Sequence, residues 1–258
     1  MINIDNLTDS RVASFSNLKK NKSLLSKNLI ICESEKVIKK IIQKKITIKE
    51  VFTTIDLYNK YFLNLNIDKS KIYIAKKNLI QNIIGHKLHN FLFVICEKPR
   101  DYLLEQLDDY IIILNKISSP ENIGSIIRNA AGFSFKSLIY DKLSCSPYMR
   151  RSVRVSMGNV FDIKTHLSNN LCLTINYLQK NGYQIYATAN ENNAIDISKI
   201  KKSKKLAVIF GSEGFGIDNE IKNITDLTIK IPIDQNVGHL NVSSASAIIL
   251  HQLKLLNF

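Results

Sequence analysis

Three short blocks hold the residue types from which a binding site or reaction centre could be built. The first, Ser119-Pro120-Glu121-Asn122-Ile123-Gly124-Ser125-Ile126-Ile127-Arg128, offers an amide and, six positions later, a guanidinium. The second, Gly211-Ser212-Glu213-Gly214-Phe215-Gly216, places a carboxylate among three glycines. Such glycines permit a tight turn and close backbone approach to a ligand. The carboxylate argues against phosphate as that ligand, since like charges repel. The third block runs from Ile231-Pro232-Ile233 through Asn236-Val237-Gly238-His239-Leu240-Asn241-Val242-Ser243. Its amides, single Gly and near-absence of charge suit a loop that holds a ligand by main-chain contacts. Each block also has a plainer reading. Asn122 and Asn241 are good helix caps, Arg128 can be a solvated surface charge, and the glycines can serve an ordinary strand–turn–helix connection.

The elements around these blocks are those of an α/β protein. Ser119 and Pro120 form a helix-start signal, and Gly132 suits the C-terminal cap of the same helix. Apolar runs predict strands at 110–114, 136–140, 184–188, 206–210 and 227–231, with helical periodicity between most of them. Alternating buried strands and helices imply a parallel sheet covered on both faces, with ligands held at strand C-terminal ends. The blocks at 119, 211 and 231 all sit at such ends. After 241 a helix opens with Ser243, Ser244, Ala245, Ser246 and Ala247, a small-residue face that permits close packing. The first hundred residues read as a smaller α/β unit, with strands at 29–32, 51–54, 71–74 and 91–95. Helices are expected at 33–45, 56–65 and 78–84, and a basic, partly helical arm before residue 28. An acidic stretch after Pro99 marks the boundary, giving domains at 1–105 and 106–258.

Composition narrows the partners. Thirty-six Lys and Arg against 22 Asp and Glu give a net charge of +14, with 19 of the basic residues in the first 105. A polyanion such as nucleic acid would account for the excess; so would the Lys, Asn and Ile bias of an AT-rich genome. Cys32, Cys96, Cys145 and Cys172 show no metal or disulfide spacing, which favours a reducing compartment. No long apolar run or signal-peptide pattern is present, so a cytoplasmic, non-membrane protein is expected. The dinucleotide glycine motif, the P-loop and the nucleophile-elbow serine motif are all missing.

Taken in order, the three blocks resemble the SpoU (TrmH) family of RNA ribose 2′-O-methyltransferases, within the knotted SPOUT superfamily. The family patterns are Asn-x-Gly-x-x-x-Arg, Gly-x-Glu-x-x-Gly and Ile-Pro-Met…Ser-Leu-Asn-Val-Ser. The resemblance is good over 110–258 and looser over the first unit, which looks like the family's ribosomal-protein-like RNA-binding domain. It implies S-adenosylmethionine as cofactor, with no metal, in a C-terminal trefoil knot. Cofactor contacts are implied at Gly211, Ile231 and Leu240, and a catalytic set of Arg128, Asn122, Glu213 and Asn241. The family gives proton removal to the arginine matched by Arg128, although arginine ordinarily stays protonated; orienting a phosphate and stabilising the developing alkoxide is the other role open to it. A homodimer through the knotted domain is also implied. This sequence departs from the pattern at His239, where the family has Ser. It ends directly after the last helix and has a basic domain in front, an arrangement resembling members that modify large-subunit rRNA. The alternatives are a tRNA 2′-O-methyltransferase, a non-catalytic RNA-binding protein of ribosome assembly, and a resistance methyltransferase.

Overall fold

Runs of β-branched and aromatic residues build two separate sheets, each in its own unit of the chain. The computed structural model describes every residue except 17, 19–21, 86, 235 and 258. One unit comprises residues 1–99 with 148–161, the other 100–147 with 162–258. The expected single division near 105 has no place for 148–161. These residues follow a second-unit strand in sequence, yet they pack with the first unit.

The first unit holds β1 (Ile2–Asn3), α1 (Lys22–Leu25), β2 (Leu29–Glu33), α2 (Glu35–Gln43), β3 (Ile48–Thr53), α3 (Ile55–Tyr61), β4 (Ile72–Ile74), α4 (Lys77–Ile84) and β5 (Leu92–Glu97). Its sheet runs β1-β4-β3-β5-β2, with β5 antiparallel to both neighbours and the other pairs parallel. In α2 the apolar positions Val37, Ile38 and Ile41 fall on one face and are buried, while lysines occupy the other. Part of the expected basic arm, residues 17 and 19–21, lies outside the described residues. The rest is anchored: Ile4, Val12, Phe15 and Leu18 are buried, and Phe15 packs on Phe52 with ring centroids 5.4 Å apart. Residues 148–161 contribute a short helix, Arg150–Val155. There Arg150 donates to the buried Glu33 carboxylate at 2.7 Å, and Arg154 lies 3.3 Å from the same oxygen. Gly158, at φ +78°, lies close to α2; a Cβ there would stand 3.3 Å from the Val37 Cα.

The second unit is built from β6 (Tyr110–Asn115), α5 (Pro120–Gly132), β7 (Ser137–Asp141), β8 (Lys164–Ser168), α7 (Leu171–Lys180), β9 (Gln184–Thr188), β10 (Ile195–Asp196), β11 (Leu206–Gly211), α8 (Asn219–Lys222), β12 (Leu227–Lys230) and α9 (Val242–Asn257); α6 (Arg150–Val155), which follows β7 in sequence, belongs to the first unit. All seven strands are parallel, in the order β10-β12-β9-β11-β6-β7-β8. Alternate residues serve opposite faces. Ile111, Ile113, Ala207 and Ile209 pack with Ile175, Leu178 and Ile221 of α7 and α8. Ile112, Leu114, Val208 and Phe210, also fully buried, point the other way. Strand order reverses between β6 and β11, whose ends pair as Asn115 with Gly211. In an open parallel sheet a crevice forms at this reversal. Ser119 caps α5 as expected, its Oγ accepting from the Asn122 backbone N–H at 3.3 Å. Gly132 is not the cap: the helix continues through it, and Ser134, at φ +69°, takes the left-handed position.

Candidate active site

The side chains of Asn122, Glu213 and Asn241 meet, although each arrives on a different connection. Asn122 stands in the first turn of α5, Glu213 in the turn after β11, and Asn241 immediately before α9. The Asn122 amide donates to Glu213 Oε1 at 2.9 Å, and the Asn241 amide donates to the same oxygen. Asn241 also reaches Asn122 Oδ1 at 3.4 Å. The Asn241 carbonyl oxygen meanwhile caps α9, accepting from the Ser243 N–H at 2.9 Å and its hydroxyl at 2.6 Å. Cap and site residue are therefore two ends of one amide. Glu213 Oε2 has no partner among the described residues and remains open to a donor.

The turn that presents Glu213 has little freedom. Ser212 and Gly216 exchange N–H···O bonds of 3.0 and 2.9 Å, Gly216 adopts φ +67°, and the Phe215 N–H is held by Ser212 Oγ at 3.2 Å. A Cβ on Gly211 would lie 2.3 Å from the Gly216 carbonyl carbon, so no other residue fits there. The neighbouring connection is pinned from below. Buried Asn115 donates to Asp141 at 3.0 Å and Asp218 at 3.3 Å, and accepts from the Asp218 N–H at 3.0 Å. Lys116 adds a 2.6 Å bond to Asp218, whose carboxyl is held below the usual range chiefly by that bond. This network sets the loop into α5 and the start of α8, and so the separation of Asn122 from the Glu213 turn.

Beside the amide–carboxylate cluster lies a cavity of about 380 Å³. Gly211, Ile231 and Leu240, the three expected cofactor contacts, all line it. Its walls combine Ile229, Ile231, Leu240 and Ile249 with polar groups at Thr188, Asn190, Glu191 and Lys222. A volume of this order with apolar walls and a few polar groups suits a small organic ligand. Asn190 donates to the Gly238 carbonyl at 2.8 Å, which ties the end of β9 to the polar loop. Glu191 pairs with Lys222 at 2.7 Å. Sequence reasoning passed over Asn190 and Glu191; their signal was their place just beyond a strand's C-terminal end. His239 is exposed on the cavity lining.

Arg128 is not part of the cluster. Six helical residues carry it roughly 9 Å along α5 and about 120° around it from Asn122. It is exposed, without a hydrogen-bond or ion-pair partner among the described residues, in a shallow groove of about 350 Å³ with Ser125, Asn129, Ser243, Ser244 and Ala247. Asn129, also missed, returns to the face of Asn122 after seven residues. It donates to the Ser243 carbonyl and to Ser246 Oγ, both at 2.9 Å, and so fastens α5 to α9. Ser243 contacts both Asn129 and Asn241, and so adjoins the Arg128 groove and the amide–carboxylate cluster alike.

The chain is similar to known proteins in sequence and in fold. The sequence matches the SpoU rRNA Methylase family over residues 109–251. An uncharacterized tRNA/rRNA methyltransferase of Mycobacterium bovis is 24% identical over 236 residues, which cover 88% of this chain and 81% of that one. The 23S rRNA (guanosine(2553)-2'-O)-methyltransferase RlmP of Bacillus subtilis is 22% identical over 254 residues, covering 98% and 100%. In fold, the chain is similar to the AdoMet-bound rRNA methyltransferase from Sinorhizobium meliloti, with a TM-score of 0.85 at 21% identity over 98% of this chain and 97% of that one. The matched stretch spans more than half of the chain and carries all three converging blocks, and the protein belongs to the SpoU rRNA Methylase family of RNA methyltransferases.

Proposed function

We propose that the protein transfers a methyl group from S-adenosylmethionine to a ribose 2′-hydroxyl of RNA, with large-subunit rRNA as the substrate. One observation carries this reading: Asn122, Glu213 and Asn241 converge beside a cavity lined by Gly211, Ile231 and Leu240. The cavity's chemistry fits the donor. Aliphatic walls suit an adenine ring, and a carboxylate and ammonium at Glu191 and Lys222 suit an amino-acid end. Bound there, the donor supplies an electrophilic methyl on a sulfonium, and no metal is needed. Gly211, Ile231 and Leu240 hold it largely through backbone groups.

A 2′-hydroxyl is a weak nucleophile until its proton leaves. Asn122, Glu213 and Asn241 hold the ribose, with Glu213 Oε2 placed to accept the hydroxyl's hydrogen bond and then its proton, which passes on to water. Arg128 keeps its charge, orients a neighbouring phosphate and stabilises the oxygen as negative charge develops. The second unit is threaded as a trefoil knot and pairs with a second copy. An exposed stripe on α9, Ser244, Ile248, His251 and Leu255, supports that pairing through its helical spacing. The first unit, with its excess of lysine, engages RNA. Among the described residues no helix is long and apolar enough to cross a membrane.

The test is transfer of labelled methyl from S-adenosylmethionine to rRNA of a strain lacking the gene, with the product mapped by mass spectrometry. Transfer to a ribose is expected, and Arg128→Ala should slow it about 100- to 1,000-fold. Modification of a base, or no transfer to rRNA or tRNA, would sink the reading; transfer to tRNA alone would change the substrate.

A further inference from the structure

Phe215 is 93% exposed, more than any other large apolar side chain among the described residues. An aromatic ring left in water forgoes the burial that usually accompanies such a side chain. Here the exposure is built in. Gly211 has no room for a Cβ, Gly216 takes the left-handed conformation, and the Phe215 N–H is tied to Ser212 Oγ at 3.2 Å. These restraints fix the turn with residue 215 projecting from it. Its neighbours along the chain are two glycines, so the ring stands singly instead of extending an apolar patch. A subunit interface draws on a contiguous, well-packed apolar centre. A lone, tethered aromatic is instead what single-stranded nucleic acid is stacked upon.

The ring's position selects the occupant. Phe215 is two residues from Glu213 and lines the same cavity as Gly211, Glu213 and His239. In a nucleoside, the base is attached to the carbon adjoining the one that bears the 2′-hydroxyl. A ribose held at Glu213 therefore carries its base within reach of residue 215. Resting on the reading of the site as a ribose methyltransferase, we propose that Phe215 is the stacking platform for the base of the methylated nucleotide, which must be turned out of its helix to reach it. Stacking on a phenyl ring is tolerant of base identity. Phe215 thus positions the nucleotide, and the choice among bases falls to other groups.

The chain contains no tryptophan, so Phe215→Trp in the full-length protein installs a single reporter on the ring position itself. The free variant is expected to emit as a solvent-exposed indole, and deproteinised rRNA should quench that emission. Phe215→Ala is expected to lower kcat/KM for RNA roughly 5- to 150-fold, the range for loss of one base–aromatic stack. Because the ring also lines the donor cavity, affinity for S-adenosylmethionine can shift, but by less than kcat/KM for RNA falls. Tyr at this position should restore most of the rate, whereas Leu, apolar but not aromatic, should not. Full rescue by Leu, or a loss confined to S-adenosylmethionine binding, would overturn the proposal. A concentration-dependent blue shift of the free variant would do so too, placing the ring against a second copy. If the parent protein transfers no methyl group, the ribose-methyltransferase reading fails. Quenching by rRNA still tests the stack, and its absence refutes it.

Discussion

Replacing Gly211 by Ala probes how strictly the turn after β11 holds Glu213. The new methyl would stand 2.3 Å from the Gly216 carbonyl carbon, 2.4 Å from its oxygen and 2.5 Å from the Ile217 nitrogen, where ordinary contact begins at 3.4 Å. One side or the other must move by about 1 Å. Gly211 cannot yield easily, because it is paired with Asn115 in the centre of the sheet. The turn must therefore open, with loss of the two Ser212–Gly216 bonds. At 0.5–1.5 kcal/mol each, that loss costs about 1–3 kcal/mol of stability. A 1 Å displacement of a positioned group costs about 100-fold in rate. The assay pairs initial rates of methyl transfer to rRNA with thermal melting followed by circular dichroism. Gly214→Ala is the control for the melt, because a Cβ at that position meets nothing within 4 Å. Gly211→Ala should retain a cooperative transition at lower temperature and lose about two orders of magnitude in rate. A rate within threefold of the parent would refute the argument that this turn sets the Glu213 position.

Two predictions concern the first unit. Arg150→Met leaves the buried Glu33 carboxylate with only the more exposed Arg154, and should cost about 2–3 kcal/mol in urea unfolding; Glu33→Leu combined with Arg150→Met should recover most of it. A double variant as unstable as the single one would show that Glu33 does not depend on this pair. Glu50 Oε2 is buried without a hydrogen-bond partner, and burial raises the Glu50 carboxyl above its ordinary value. Its ionisation thus opposes folding: stability falls as pH rises past the unfolded-state value and levels off above the folded one. Glu50→Gln should add up to about 1 kcal/mol at neutral pH and nothing below pH ~4, a difference that melting across pH would reveal.

The second unit's inner strands were legible because 110–114 and 206–210 are continuous apolar runs, as strands buried on both faces must be. β8 escaped notice because Lys164–Ser168 is polar except for Leu167, and that residue is exposed while Thr165 and Ser168 are buried, so this edge strand has no apolar run. β10 has only two residues. Gly132 looked like a helix end by residue type, but Ser134 took the left-handed turn, a choice made by packing beyond the helix. In the site, Asn122, Glu213 and Asn241 were recognisable as motif members, and the cavity lining at Gly211, Ile231 and Leu240 followed the same blocks. Their sharing of one carboxylate oxygen depends on the Asn115–Asp141–Asp218 network, whose members are separated by 26 and 103 residues. No local pattern encodes such a network. The membership of 148–161 in the first unit is equally non-local, since Arg150 and Glu33 lie 117 residues apart.

That discontinuity constrains the order in which the protein can be finished as it emerges from the ribosome. When residue 99 has been made, the five strands of the first sheet are complete, but Glu33 still lacks Arg150 and α2 still lacks the segment at Gly158. Completion waits until residue 161 clears the exit tunnel, a delay of roughly 3–12 s at ordinary elongation rates. During that interval β6, α5 and β7 are already outside. The first unit therefore reaches its final form only with the opening strands of the second already emerged, while β8 to α9 are still to come. A gene fusion or truncation cut at residue 99 would also separate a buried carboxylate from its counter-ion, so the first unit cannot be exchanged between relatives as a simple N-terminal cassette.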